Sequence, residues 1–336
     1  AKFEDASDYL PTQFTTIQIK LDLSAILFEV VIKIREYTMK EKATLILGGG
    51  SALGLAHIGV LSILEEEFEI TGIIGSSMGS IIGGLYSSGL SSAKIYELAG
   101  SFNNAKLFSP FKLDKTIKGI FDGRSLLNLF LTWTEGKSIE ESEIPFIACA
   151  YDLTSKSTVL FNKGLYADAM RASSSLPVLF APYKLNQYIF VDGGIEHPLP
   201  MAFSSLLSED KVIAVNVLPE ASRSASFINL ESEEETKTKR LSRTEVIFNA
   251  VLQNQAYLAI RDIAMFSPDI VIEAGMPNGR PFAFHKAREF YNFGRHQAME
   301  TLANYKEPRF MPTIRKHYRN LIQHLPNLNI PVKDNT

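Results

Sequence analysis

Cysteine is nearly absent: one residue, Cys149, occurs in 336, so no disulfide framework can form within the chain. Its place in the apolar run 145–151 marks it as a small buried hydrophobe in a reducing compartment. Long apolar runs are also missing. A membrane-spanning helix needs roughly 20 apolar residues, and the best candidate, 26–34, is broken by Glu29 and Lys33. The start shows no basic segment leading into an apolar core, so a signal peptide is not expected in the sequence as it stands. It opens at Ala1 without methionine, so secretion stays open beside a cytoplasmic placement, peripheral at a membrane. Lysines and arginines are scattered through a chain of net charge −3 and pI near 6.1, which argues against nucleic acid as a partner. No His/Cys/Asp cluster has ligand spacing, so neither a metal nor an organic cofactor is expected.

What is present is apolar and rhythmic. At 46% hydrophobic the chain can bury the core of one enzyme-sized domain. Strand-like runs at 44–47, 70–74, 145–151, 158–161, 188–191, 212–217 and 270–273 alternate with helical patterns. That alternation predicts an α/β fold with a largely parallel central sheet, whose ligand chemistry gathers at the C-terminal ends of the strands.

Three motifs sit at such ends. The run 44–47 enters Gly48-Gly49-Gly50-Ser51-Ala52-Leu53-Gly54, followed by a helical pattern with Leu53, His57, Val60, Leu61 and Leu64 on one face. The run 70–74 enters Gly75-Ser76-Ser77-Met78-Gly79, a Gly-x-Ser-x-Gly elbow whose small residues tolerate an abrupt strand-to-helix turn while the hydroxyl projects. The run 188–191 delivers Asp192 into Gly193-Gly194, 115 residues after Ser77. The glycine run has neither the Gly-Lys-Ser/Thr of a phosphate loop nor Gly-x-Gly-x-x-Gly register. Its free N–H groups, at a helix N-terminus, suit an oxyanion instead.

Together these motifs resemble the patatin-like phospholipase family, in its bacterial form. The block from Met170 through Arg171, Ala172, Ser173, Ser174 and Ser175 to Pro182 is similar to the segment before the family's aspartate strand. Pro268-Asp269-Ile270-Val271-Ile272 and Phe284-His285-Lys286-Ala287 resemble the domain's end. The resemblance spans roughly 43–302. It implies a three-layer α/β/α domain over 43–303, flanked by an N-terminal accessory at 1–42 and a C-terminal extension at 304–336. It also implies a serine-dependent lipid acyl hydrolase of phospholipase A or lysophospholipase type. Ser77 would be the nucleophile and Asp192 its partner in a dyad, with Gly48, Gly49 and Gly50 as oxyanion hole and Gly54, Gly75, Gly79, Gly193 and Gly194 as supports. Phospholipid or lysophospholipid would be the substrate and a membrane surface a transient contact, with no protein partner specified. One departure stands out: bacterial members usually carry arginine where this chain has Leu53, which puts the loop's anchoring and head-group contact in doubt.

A carboxylate is a poor base near its unperturbed pKa of about 3.9, so burial must raise Asp192 for the dyad to operate. The order Ser, Asp, His leaves open a Ser-His-Asp esterase with His197 or His285 as base. A catalytically weak lipid-binding or interaction protein on the same fold is a third reading. His57 lies on an apolar face and reads as packing; His296, His317 and His324 fall in polar surroundings and read as surface residues.

Outside the motifs, 17–23 alternates like a half-buried strand, and Ser24 caps an amphipathic helix running through Tyr37. Its two readings are packing on the sheet and a partner- or membrane-facing helix. The stretch 101–121, with Phe102, Phe108, Phe111 and Phe121, has the composition of a lid over an acyl channel, and 221–243 reads as a polar loop.

Overall fold

A computed structural model describes residues 40–101, 123–177, 179–207, 210–219 and 243–306. The accessory strand and helix, the aromatic stretch at 102–121, the polar loop at 221–242, the extension from 307 onward, and His317 and His324 lie outside the described residues. The chain divides into two units, Ala1–Glu41 and Lys42–Thr336, and the sheet and helices below are those of the second.

The apolar runs become strands of one sheet: β1 (Glu41–Leu47), β2 (Phe68–Ser76), β3 (Phe146–Asp152), β4 (Ser157–Phe161), β5 (Tyr183–Leu185), β6 (Tyr188–Asp192), β7 (Lys211–Asn216) and β8 (Ile270–Glu273). Their order is β5-β6-β3-β2-β1-β7-β8, with β4 also paired to β3. β2–β3, β1–β7 and β7–β8 are parallel. β3–β4, β3–β6 and β5–β6 are antiparallel. The expected parallel sheet therefore holds through the middle and gives way to antiparallel pairing around β3. β5 was not expected; it is three residues long and joins β6 through a turn in which Asn186 has φ 54.

Strand residues point alternately to the two faces of a sheet, and the core divides accordingly. Leu45, Leu47, Ile73, Phe146, Ile213 and Val215 belong to one apolar cluster; the interleaved Ile46, Ile74, Ile147, Cys149 and Ala214 belong to another. Burial on both faces is why these strands read as continuous apolar runs. The first face is covered by α1 (Ala56–Glu67), α2 (Met78–Ser87), α3 (Ser92–Ser101), α4 (Arg124–Trp133), α5 (Tyr166–Ser173) and α7 (Ala287–Lys306). The second is covered by α6 (Arg243–Phe266), which lays Phe248, Leu252, Ala256 and Ala259 on it at helical spacing. The layers are thus α/β/α. Among the described residues no helix is long and apolar enough to cross a membrane.

α1 corrects one expectation. It is buried all round, Ile58 and Ile63 as well as Leu61 and Leu64, because α7, which shares its apolar cluster over the sheet, packs closely along it. A Cβ at Gly59 would lie 1.9 Å from the Tyr291 carbonyl oxygen, and one at Gly294 would lie 2.1 Å from that of Ala56. The two helices therefore cross with backbone against backbone.

The register around β3 positions the site. Residues 148–149 pair with β2 and β4, and residues 150–152 pair with β6 and β4. A strand has two edges, so β4 occupies one and β2 and β6 lie end to end along the other. Ser76, last residue of β2, faces Cys149, and Asp192, last residue of β6, faces Ala150.

Candidate active site

Directly after β2 the chain turns into α2 at Ser77, which adopts φ 51, ψ −120. A non-glycine residue there stores strain of roughly 1–3 kcal/mol, and the turn closes only because its neighbours have no side chain. A Cβ at Gly75 would meet Ser80 Cα at 2.5 Å, and one at Gly79 would meet the Leu47 carbonyl oxygen at 2.1 Å. Ser77 caps α2 without a hydrogen bond from its side chain to the helix, because its hydroxyl is engaged elsewhere. Oγ donates to Asp192 Oδ2 at 2.5 Å. Asp192 Oδ1 accepts from the Gly194 N–H at 2.8 Å.

Asp192 is fully buried. Burial raises its pKa from 3.8 to about 6, more than the hydrogen bonds from Ser77 and Gly194 lower it. The carboxyl thus has the raised basicity that a direct Ser–Asp pair requires.

The C-terminal end of α5 and the residues just after it fasten both partners. The Ser77 N–H donates to Ser173 Oγ at 3.0 Å, while the Ser173 hydroxyl donates to the Cys149 carbonyl at 2.6 Å. The Asp192 N–H donates to the Ser175 carbonyl at 3.0 Å. Ser173 went unrecognised in the sequence as a site residue. The signal available was the serine triplet in the block before the aspartate strand. Arg171, also buried, holds that block through Ser175 Oγ and the carbonyls of Ala181 and Gly123.

The glycine loop passes against the serine: a Cβ on Gly49 would lie 3.1 Å from Ser77 Cβ. Its amides correct the expected oxyanion set. Gly48 N–H donates to the Val215 carbonyl at 3.1 Å and Gly49 N–H to the Pro198 carbonyl at 2.7 Å, so both are spent holding the loop. Gly50 N–H, Ser51 N–H and, at the start of α2, Met78 N–H have no acceptor among the described residues. Behind the loop, His57 Nε2 lies 2.7 Å from the Gly48 carbonyl oxygen. Burial takes the His57 pKa from 6.5 down to about 4, with the Gly48 bond opposing; the ring is neutral at pH 7 and donates from Nε2. Leu53 is buried and packs in the core cluster beside Gly279. At this position the loop is anchored by apolar packing, and its side chain is turned away from solvent.

No imidazole is hydrogen-bonded to Ser77 or Asp192 among the described residues. His197 packs edge-on to Phe203, and burial lowers its pKa, with Glu196 opposing. His285 is exposed.

Ser77 opens onto a cavity of about 230 Å³. Its polar lining is three hydroxyls, Ser51, Ser77 and Ser174, and the rest is apolar, led by Ile81, Ile82 and Leu85 of α2. Among the described residues no charged side chain lines it.

Comparison with known proteins gives a consistent set. Residues 45–203 match the family model described as patatin-like phospholipase. An uncharacterized NTE family protein of Mycobacterium tuberculosis is 34% identical over 177 residues, covering 52% of this chain and 49% of that protein. Lysophospholipase NTE1 of Candida albicans is 30% identical over 188 residues, 53% of this chain and 13% of that protein. The chain spans about half the length of the mycobacterial relative. Among solved structures, VipD from Legionella pneumophila aligns over 79% of this chain and 67% of its own at 13% identity and a TM-score of 0.42.

Proposed function

We propose that this chain, which carries a domain of the patatin-like phospholipase family, hydrolyses acyl esters of phospholipids or lysophospholipids through a Ser77–Asp192 dyad. One observation carries the reading: the 2.5 Å contact from Ser77 Oγ to a buried carboxylate at the polar end of an apolar cavity.

As Oγ attacks the acyl carbonyl, its proton passes to Asp192, and the carbonyl π electrons move onto oxygen. Gly50, Ser51 and Met78 supply the uncommitted N–H groups for that oxyanion, with the N-terminal end of α2 adding its positive partial charge. Collapse of the intermediate expels the alcohol, which takes the proton from Asp192. Water, deprotonated by the same carboxylate, then attacks the acyl-enzyme; the bond to Ser77 Oγ breaks, Oγ takes the proton back from Asp192, and the fatty acid leaves. The cavity receives the acyl chain, and the head group stays outside it, since no charged residue among the described ones lines the interior. Direct contact between serine and aspartate supports a dyad over a triad, and the 2.5 Å gap leaves no room for an intervening imidazole.

The test is fatty-acid release from lysophosphatidylcholine and a p-nitrophenyl acyl ester by the purified chain. Ser77→Ala and Asp192→Asn are each expected to cut kcat/KM by at least 10³-fold with the circular-dichroism spectrum unchanged. Wild-type turnover in both variants refutes the dyad, and no turnover of any ester by the wild type refutes hydrolysis.

A further inference from the structure

The cavity at Ser77 has a direction. Met78, Ile81, Ile82 and Leu85 line it at helical spacing, so it follows α2 away from the nucleophile. At 1.5 Å per residue, the eight residues from Ser77 to Leu85 carry it about 12 Å along the helix. A second cleft, with a different lining, begins where α2 ends. It is built from Ser88, Gly89, Ser91, Glu135 and the lysines Lys94 and Lys137. Leu98 of α3 and Trp133 of α4 line both spaces. They therefore stand between an apolar chamber that starts at the nucleophile and a charged cleft into which methylenes gain nothing by passing.

We propose that Leu98 and Trp133 form the end wall of an acyl-chain ruler, which makes this site selective for medium-chain acyl groups of about 8–10 carbons. The inference rests on the acyl-hydrolase reading above and adds the length of the acyl group. The helix sets that length: an extended chain advances about 1.2 Å per bond, the spacing that three backbone bonds give a fully extended residue, so 12 Å accommodates about ten bonds. Each methylene that fits adds about fourfold in kcat/KM, the equivalent of about 0.8 kcal/mol; one that meets the wall adds nothing.

The experiment measures kcat/KM for p-nitrophenyl esters from C4 to C16, below their aggregation limits. Wild type is expected to climb about fourfold per methylene to C8–C10 and then level or fall. Leu98→Ala and Trp133→Ala, both at half-buried positions, open the wall and are expected to raise the C14-to-C8 ratio at least tenfold. Ala99→Leu narrows the same end and is expected to move the optimum below C8. Opposite shifts from opening and filling are a signature that general destabilisation does not produce. A wild-type profile still climbing at C16, or C14-to-C8 ratios within twofold of wild type in both opened variants, overturns the ruler while leaving hydrolysis intact. Should no ester be turned over, hydrolysis fails and calorimetry of decanoate and palmitate decides the wall. Palmitate binding Trp133→Ala but not wild type at least tenfold tighter than decanoate supports it; equal preference in the two proteins overturns it.

Discussion

Asp192→Asn is expected to abolish activity and, at neutral pH, to make the protein more stable. The carboxyl is fully buried, and burial moves its pKa from 3.8 to about 6. At 1.36 kcal/mol per pKa unit, that gap is about 3 kcal/mol against folding whenever the group is ionised in both states. The sign follows from proton counts. Between pH 3.8 and about 6 the native state holds more proton than the unfolded state, so this contribution to stability is greatest in acid and is lost as pH rises through that window. Asparagine removes it: Oδ1 still accepts from Gly194 N–H, and Nδ2 donates to Ser77 Oγ in place of the carboxylate that accepted from it. Guanidinium unfolding should show Asp192→Asn about 3 kcal/mol more stable than wild type at pH 7.5, and less than about 1 kcal/mol more stable at pH 4. His57 makes the contrast sharper. Its pKa falls on folding from 6.5 to about 4, so its contribution is present above pH 6.5 and is lost as pH falls toward 4, also by about 3 kcal/mol. In wild type the two slopes oppose over nearly the same range. With Asp192 gone, stability should climb by about 3 kcal/mol from pH 4 to 6.5. A variant no more stable than wild type at pH 7.5, or equally more stable at both pH values, refutes the claim that burial strains this carboxylate.

Two further outcomes follow from the same geometry. On the proposed dyad Asp192 must be ionised to accept the Ser77 proton, so kcat/KM should drop tenfold per pH unit below about 6 and be flat above it; a profile governed instead by a group titrating above 7 contradicts the assignment. Ser173→Ala removes the acceptor of the Ser77 N–H, a buried hydrogen bond costing about 1–3 kcal/mol to lose. It should lower kcat by about 10- to 100-fold with KM within twofold and the inflection near pH 6 unmoved, and Ser173→Thr should restore most of the rate. Loss through KM alone would show that Ser173 serves binding, not the placement of the nucleophile.

The parts legible in the sequence were those with a local cause. Continuous apolar runs exposed seven of the eight strands; β5 escaped because Tyr183–Leu185 is too short to set a period. α6 went unassigned, since its buried stripe of Phe248, Leu252, Ala256 and Ala259 is diluted by exposed Val246, Ile247 and Tyr257. Ser77 and Asp192 were visible because their glycine neighbours answer local crowding, as the Gly79 approach to Leu47 shows. The committed amides of Gly48 and Gly49 were not, because their acceptors, Val215 and Pro198, arrive about 150 residues later. Ser173 is hidden for the same reason: it acts only once β3 brings the Cys149 carbonyl beneath it.

Direct Ser–Asp contact is in the end a consequence of strand direction. β2 runs parallel to β3 and stops opposite Cys149; β6 runs antiparallel to β3 and stops opposite Ala150. Their C-terminal ends therefore meet head to head along one edge, one strand residue apart, which is about 3.4 Å. Had β6 run parallel to β2 beyond its end, its C-terminal carboxyl would have pointed away from the elbow, and a histidine would have been needed to carry the proton across. Instead the acid reaches the hydroxyl unaided, but only by occupying the buried seam where two strands abut. That seam supplies the desolvation that raises the pKa of the carboxyl. A Cβ at Gly193 would come within 2.2 Å of the Cys149 carbonyl oxygen, which shows how tightly the seam is closed. On the proposed dyad, the same topological choice thus dispenses with an imidazole, raises the carboxylate's pKa and places strain on the folded state at neutral pH, which is why activity and stability are expected to move in opposite directions at Asp192.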